Sequence, residues 1–305
     1  MEFKKCLQFQ LSGNLKEAEK CYRNLLNKNK NLPDVLCNLG IICAKTNRQE
    51  EAIKLFNDTI ELDQKSFIAY NNLGLIYSKK ENFDKAINNF SIALKYNKHS
   101  QTYFNLAIIY EKKDKIKEAI KTYQASIIAD PTNSGALCNL GNLFYILGEL
   151  DNAKIYLEKA IKYKPYLDAS LNNLGLVNMA FGNINNAKNN FLEAIKINPN
   201  NSKSHYNLCN LTSYNEGGKR HVDQMILNLN SSKSNDEKNH YFFSLAKVYE
   251  DKKNYKTSFD YFKKGNNICR NNFKYSISDD NTLYKNIKKI YNHQSLSNLN
   301  YVGFN

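Results

Sequence analysis

Apolar positions along the 305-residue chain fall in a frame that returns every 33 or 34 residues. A Leu is followed by a small residue at Leu39-Gly40, Leu73-Gly74, Leu106-Ala107, Leu140-Gly141 and Leu174-Gly175. Three places on, an aromatic stands at Tyr77, Tyr110 and Phe144. Ala52, Ala86, Ala119, Ala153 and Ala187 lie twelve places after the small residue. Four later come Phe56, Phe90, Tyr123, Leu157 and Phe191, and three after those Thr59, Ala93, Ser126, Ala160 and Ala194. Spacings of three and four put these residues on single helical faces, so each period predicts two amphipathic helices. One polar residue is locked to the same frame. It is the Asn before each Leu: Asn38, Asn72, Asn105, Asn139, Asn173 and, in a looser copy, Asn207. The intervals are 34, 33, 34, 34 and 34.

A fixed period of this length signals stacked copies of one supersecondary unit, none of which can bury its apolar face alone. Five full units are predicted at 33–66, 67–99, 100–133, 134–167 and 168–201, a run of 33–201. Turns within them fall at Thr46-Asn47, Glu81-Asn82, Lys113-Asp114, Leu147-Gly148 and Phe181-Gly182. Residues 1–32 read as a degenerate first hairpin, with Asn14 and Glu17 spaced as a capping box. Residues 202–291 read as a divergent hairpin, one further repeat-like hairpin and a capping helix. In that helix Leu283, Ile287 and Ile290 share a face. Residues 292–305 read as a polar tail.

The Leu-Gly, aromatic, Ala, large-apolar and small positions, with Pro131, Pro165 and Pro199 closing three units, resemble the tetratricopeptide repeat (TPR). The resemblance implies an all-α fold: a right-handed superhelix, or α-solenoid, of antiparallel helical hairpins. Small residues let the two helices of a hairpin approach, and Pro ends the second helix by removing a donor and clashing with the preceding turn.

The net charge is +14, a balance that raises nucleic acid or acidic partners as candidates. The lysines are scattered and no recognised nucleic-acid motif occurs, so nucleic acid is disfavoured. The seven Cys form no CxxC, and their odd number does not suit a disulfide framework. Free thiols in a reducing compartment, and hence a cytoplasmic protein, are expected. No apolar stretch is long enough to span a membrane. The five His have no metal-ligand spacing, and no GxGxxG, Walker A or GxSxG run is present. No cofactor, metal or catalytic residue is predicted.

The Asn column is the main candidate site. Asn38, Asn72, Asn105, Asn139, Asn173 and Asn207, with Asn71 and Asn172 one place earlier as lesser members, could offer paired donors and acceptors to an extended peptide. The column resembles the asparagine ladder of the O-GlcNAc transferase repeats, which implies binding in the concave groove. The competing reading is that each Asn bonds to a neighbouring hairpin. The dicarboxylate clamp of cochaperone TPR domains needs Lys before the Asn, where Cys37, Asn71, Phe104, Cys138 and Asn172 stand. A second resemblance covers residues 202–291. Ala246-Lys247-Val248-Tyr249-Glu250-Asp251 and Lys264-Gly265-Asn266 are similar to the segment that joins repeats to the catalytic domain in bacterial TPR-sulfotransferase proteins. The family's phosphate-cradling loop is absent, so the resemblance implies no activity here. It implies a chain that recruits substrate for a separate sulfotransferase catalytic subunit. The leading expectation is a non-enzymatic scaffold for a protein or extended peptide.

Overall fold

The computed structural model describes residues 2–29, 32–165, 167–272 and 277–290. The tail 292–305 lies outside them. Among the described residues there are seventeen α-helices and no strand. The chain divides into two compact units, Met1–Glu193 and Ala194–Asn305.

The first unit is a row of antiparallel hairpins of the solenoid kind. They are α1 (Glu2–Leu11) with α2 (Leu15–Lys28), α3 (Pro33–Lys45) with α4 (Gln49–Leu62), and α5 (Phe67–Lys79) with α6 (Phe83–Tyr96). Next come α7 (Ser100–Lys112) with α8 (Ile116–Ala129), α9 (Ser134–Ile146) with α10 (Leu150–Tyr163), and α11 (Asp168–Ala180) with the start of α12 (Ile184–Ile197). The predicted turns are all present. Each holds one residue in the left-handed region: Asn47, Glu81, Asp114, Gly148 and Gly182, with Gly13 in the first hairpin. Pro131 and Pro165 sit just past the ends of α8 and α10. Elsewhere the loop between hairpins has four residues, but between α6 and α7 it has three, where the unit is one residue short.

The small positions set the helix spacing. A Cβ built on Gly74 would lie 2.6 Å from the Phe90 ring, and one on Gly40 2.8 Å from the Phe56 ring. Both rings are fully buried. The Ala of each second helix is buried to 0% exposure at 52, 86, 119, 153 and 187. The Leu after each Asn is buried too, so the core runs along the seam of each hairpin and between successive hairpins.

Two local expectations change. Asn14 accepts from the Glu17 amide at 3.4 Å, but its own N–H is committed to the Phe9 carbonyl at 2.9 Å. Only half of a capping box is therefore made. Cys6 and Cys21 form a disulfide between α1 and α2, against the expectation of free thiols throughout. Facing helices of one hairpin bring these residues together although their separation of 15 matches no motif. Cys37, Cys43, Cys138 and Cys209 are free and buried.

The second unit contains α13 (Ser202–Leu211), α14 (Lys219–Ser231), α15 (Asn235–Asp251), α16 (Tyr255–Asn272) and α17 (Ile277–Ile290). α13 is shorter than α3, α5, α7, α9 and α11, and residues 212–218 form a loop in place of its last turn. Ser234 caps α15 by accepting from the Glu237 amide. On α17, Leu283 and Ile287 are 59% and 44% exposed. No described helix is long and apolar enough to cross a membrane.

Candidate functional site

Each Asn of the column is the sixth residue of its helix, and all six side chains are half-buried. The Leu that follows is turned into the seam, so the Asn lies beside the core on the helix flank. One helical turn further stand Ile41, Leu75, Ile108, Asn142 and Leu176, again half-buried. Residues three apart share a face. Five helices of the first unit thus repeat one pair: an amide and, four times in five, an aliphatic side chain.

The amides are engaged differently along the row. Asn38 and Asn72 donate to the carbonyls of Asp34 and Ile68 one turn back, both at 2.8 Å. Asn105 accepts from Gln101 at 3.1 Å. Asn139 donates to the Tyr123 hydroxyl at 3.0 Å, and that hydroxyl donates to Glu111 at 2.8 Å. Burial, followed by the bond to Glu111, pushes the Tyr123 pKa well up, so it remains a neutral donor. Asn173 points its amide at the Cys138 sulfur, 3.9 Å away. Among the described residues, the Oδ1 of Asn38, Asn72 and Asn139 and the Nδ2 of Asn105 have no protein partner. Four amides of the row therefore combine an internal bond with one uncommitted polar atom, whereas both polar atoms of Asn173 are engaged, by Asn172 and Cys138.

The two flanking Asn differ. Asn71 accepts from Thr102 of the next hairpin at 2.9 Å, a bond that ties α5 to α7. Asn172 is 3% exposed and donates to Asn173 at 3.2 Å. Asn172 lies deeper than the main column, whereas Asn71 is half-buried like it. Asn207 is half-buried on α13 in the second unit.

The structure also assembles a cluster that sequence spacing does not show. His205 is fully buried, and its Nε2 donates to the Pro199 carbonyl at 2.9 Å. That fixes its Nδ1 as an acceptor, facing His221 Nε2 at 2.7 Å. The other ring nitrogen of His221 accepts from the Tyr214 hydroxyl at 2.6 Å, and Cys209 lies 3.4 Å from that oxygen. The chain of donors is complete with every group neutral. Burial holds the His221 pKa down at about 4, with the His205 charge adding to the effect, and burial lowers His205 as well. Burial raises Cys209 and Tyr214. The one signal in the sequence is His221 at the place where a repeat has Ala. Among the described residues no group of three His, Cys, Asp or Glu is arranged to hold a metal.

The Lys247 and Asp251 of the sulfotransferase-like run have a local use. Lys247 donates to the Thr212 carbonyl at 3.0 Å and to Asp251 at 2.5 Å, and Asp251 accepts from the Tyr214 amide at 3.0 Å. Together they pin the 212–218 loop to α15.

With this geometry in hand, comparison with known proteins gives the family. Tetratricopeptide repeat models match residues 33–66, 67–100, 100–133, 134–166 and 169–201, more than half of the chain. The chain belongs to the tetratricopeptide repeat family. YrrB, a TPR protein with an unusual peptide-binding site, matches with a TM-score of 0.51 at 21% identity, over 60% of this chain and 95% of YrrB. The Cut9–Hcn1 hetero-tetramer of APC/C matches with a TM-score of 0.61 at 15% identity, over 79% of this chain and 48% of that one. At these identities the likeness is one of fold. In sequence, the BBSome complex member BBS4 of Bos taurus is 28% identical over 159 residues, 52% of this chain and 31% of BBS4. The protein O-mannosyl-transferase TMTC1 of Homo sapiens is 23% identical over 159 residues, 50% of this chain and 18% of TMTC1. The chain thus spans a third or less of the length of these relatives.

Proposed function

We propose that this chain is a non-catalytic scaffold whose first unit holds an extended polypeptide along the Asn-bearing faces of α3, α5, α7, α9 and α11, in the concave groove of the repeats. The observation that carries it is the pair of a partly uncommitted amide and a half-buried aliphatic side chain, complete on α3, α5 and α7, with the amide alone continuing on α9 and the aliphatic residue on α11. An extended peptide presents amides and side chains at regular intervals, and such a row matches it in kind. Each hydrogen bond adds about 0.5–1.5 kcal/mol net, so several are needed for useful affinity. YrrB has a peptide-binding site on this fold, and BBS4 is a member of a complex; both accord with a binding role.

The alternative, a substrate-recruiting portion for a sulfotransferase, rests on the 202–291 resemblance. The bonds of Lys247 and Asp251 give the most specific part of that resemblance a structural reason. The scaffold reading is therefore preferred.

Photo-crosslinking tests it. A benzophenone amino acid at Ile108 should capture polypeptides from a lysate, and one at Lys121, on the neighbouring α8, should not. Equal labelling from both positions would remove the groove from consideration.

A further inference from the structure

The edge of the first unit where each hairpin turns carries a second pattern. Lys80 directly follows the first helix of its hairpin and pairs with Glu50, at the start of the second helix of the preceding hairpin. Lys113 holds the same place one unit on and pairs with Asp84 at 2.5 Å. Beside it, Lys112 lies over the Phe83 ring, 5.7 Å from its centroid. Each of these junctions is closed by a cation from the next hairpin.

Counting from the column, Lys80 and Lys113 are eight residues past Asn72 and Asn105, and Glu50 and Asp84 are twelve past Asn38 and Asn72. At the same two places, the junction between α10 and α11 holds Phe181 and Asp151. The acid is kept and the cation is replaced by an aromatic ring. Among the described residues neither Asp151 nor its neighbour Glu149 is in an ion pair. The Glu149 carboxylate accepts from Asn152, at 2.8 Å. The ring and the acids line a cavity of about 410 Å³ together with Gly148 and Leu150. Around it Ile146 is 67% exposed, Leu147 48% and Phe181 39%. The turns 146–152 and 180–186 contain no Lys or Arg, whereas the four earlier turns all do.

We propose that this junction is a docking site for a partner polypeptide that supplies the missing cation: an Arg or Lys flanked by large apolar side chains. The cation would stack on the Phe181 ring and pair with Asp151, with Glu149 near by. Within the chain the two kinds of interaction are made side by side by adjacent lysines, Lys112 over the Phe83 ring and Lys113 with Asp84. Ile146 and Leu147 would cover the apolar flanks. A carboxylate beside an exposed aromatic ring favours cations over anions, so charge complementarity selects the occupant. The site lies on the turn edge and does not depend on the groove reading.

The test uses the full chain and fluorescent dodecapeptides that place Arg or Lys among Leu and Ile, with charge-reversed Glu counterparts. Wild type should bind the cationic set by anisotropy and prefer it about tenfold or more over the reversed set. Asp151→Asn should weaken binding, and Phe181→Lys should abolish it. The latter rebuilds the junction of the earlier hairpins, so its circular dichroism should match wild type. Replacing the column Asn residues should leave this binding intact. No binding by wild type, equal binding of the reversed set, or undiminished binding by a folded Phe181→Lys chain would overturn the proposal. So would concentration-dependent self-association that Phe181→Lys abolishes without any peptide binding, which would assign the edge to a second copy.

Discussion

The close approach of the helices within a hairpin makes Gly74 a sharp test of the packing. A Cβ there would stand 2.6 Å from both Cδ1 and Cε1 of Phe90 and 2.9 Å from Cζ. Ordinary carbon contacts are about 3.5–4.0 Å, so the ring must retreat by about 1 Å. Phe90 is fully buried against Ala86, Leu106 and Ile109, which leaves it little room. Overpacking of this kind costs about 1–3 kcal/mol. Ala in place of Gly within a helix returns about 0.8–1.0 kcal/mol. Gly74→Ala should therefore destabilise by about 1 kcal/mol net, the balance of those two effects. In a Phe90→Ala background the obstruction is gone and only the helix preference remains. The same substitution should then stabilise by about 1 kcal/mol. Urea melts of the four chains of this cycle, with exchange protection of the α5 amides as a local readout, give the coupling. An effect of Gly74→Ala that is equal in both backgrounds to within about 0.5 kcal/mol would refute the close-approach account.

Other outcomes follow from named groups. Glu81 and Asp114 occupy turn positions with φ of 57° and 56°, so Glu81→Gly should stabilise by about 1 kcal/mol, seen as a rise in Tm. His221 has a folded pKa of about 4 against an ordinary 6.5, so the unfolded chain binds more protons between these values. The stability it lends is full above about pH 6.5 and is lost as pH falls toward 4; urea midpoints across this range should drop, and His221→Phe should flatten the pH 6.5–5 portion. Cys6 and Cys21 close a loop of separation 15, so reduction should cost the first hairpin up to about 3 kcal/mol, read as faster amide exchange in α1 and α2 with α9 and α10 unchanged.

The hairpins were legible because each depends on residues whose size is tied to position. Gly40 and Gly74 exist to admit Phe56 and Phe90, and such pairs leave a periodic trace. The turns within the hairpins were placed for the same reason: the frame leaves three positions between the two helices. The Asn column was visible as a column, but not the bonding of its amides. Whether Asn139 meets Tyr123 or Asn38 its own helix depends on which neighbour lies within 3 Å, and that varies between units with identical Asn-Leu spacing. The lysines looked scattered because Lys80 and Lys113 meet acids about thirty residues earlier, one unit back. The Cys6–Cys21 bridge and the His205–His221 pair were hidden likewise. Each joins residues about fifteen apart across a turn, and in the second pair the turn departs from the repeat.

The measurement closest to the central claim is a peptide-array screen of the wild-type chain beside one in which Asn72, Asn105, Asn139 and Asn173 are all Ala, with circular dichroism to establish that both are folded. The scaffold account predicts that wild type captures extended peptides and that the folded variant loses them. Equal capture by both chains, or capture by neither, would contradict it and leave the Asn residues a purely structural role.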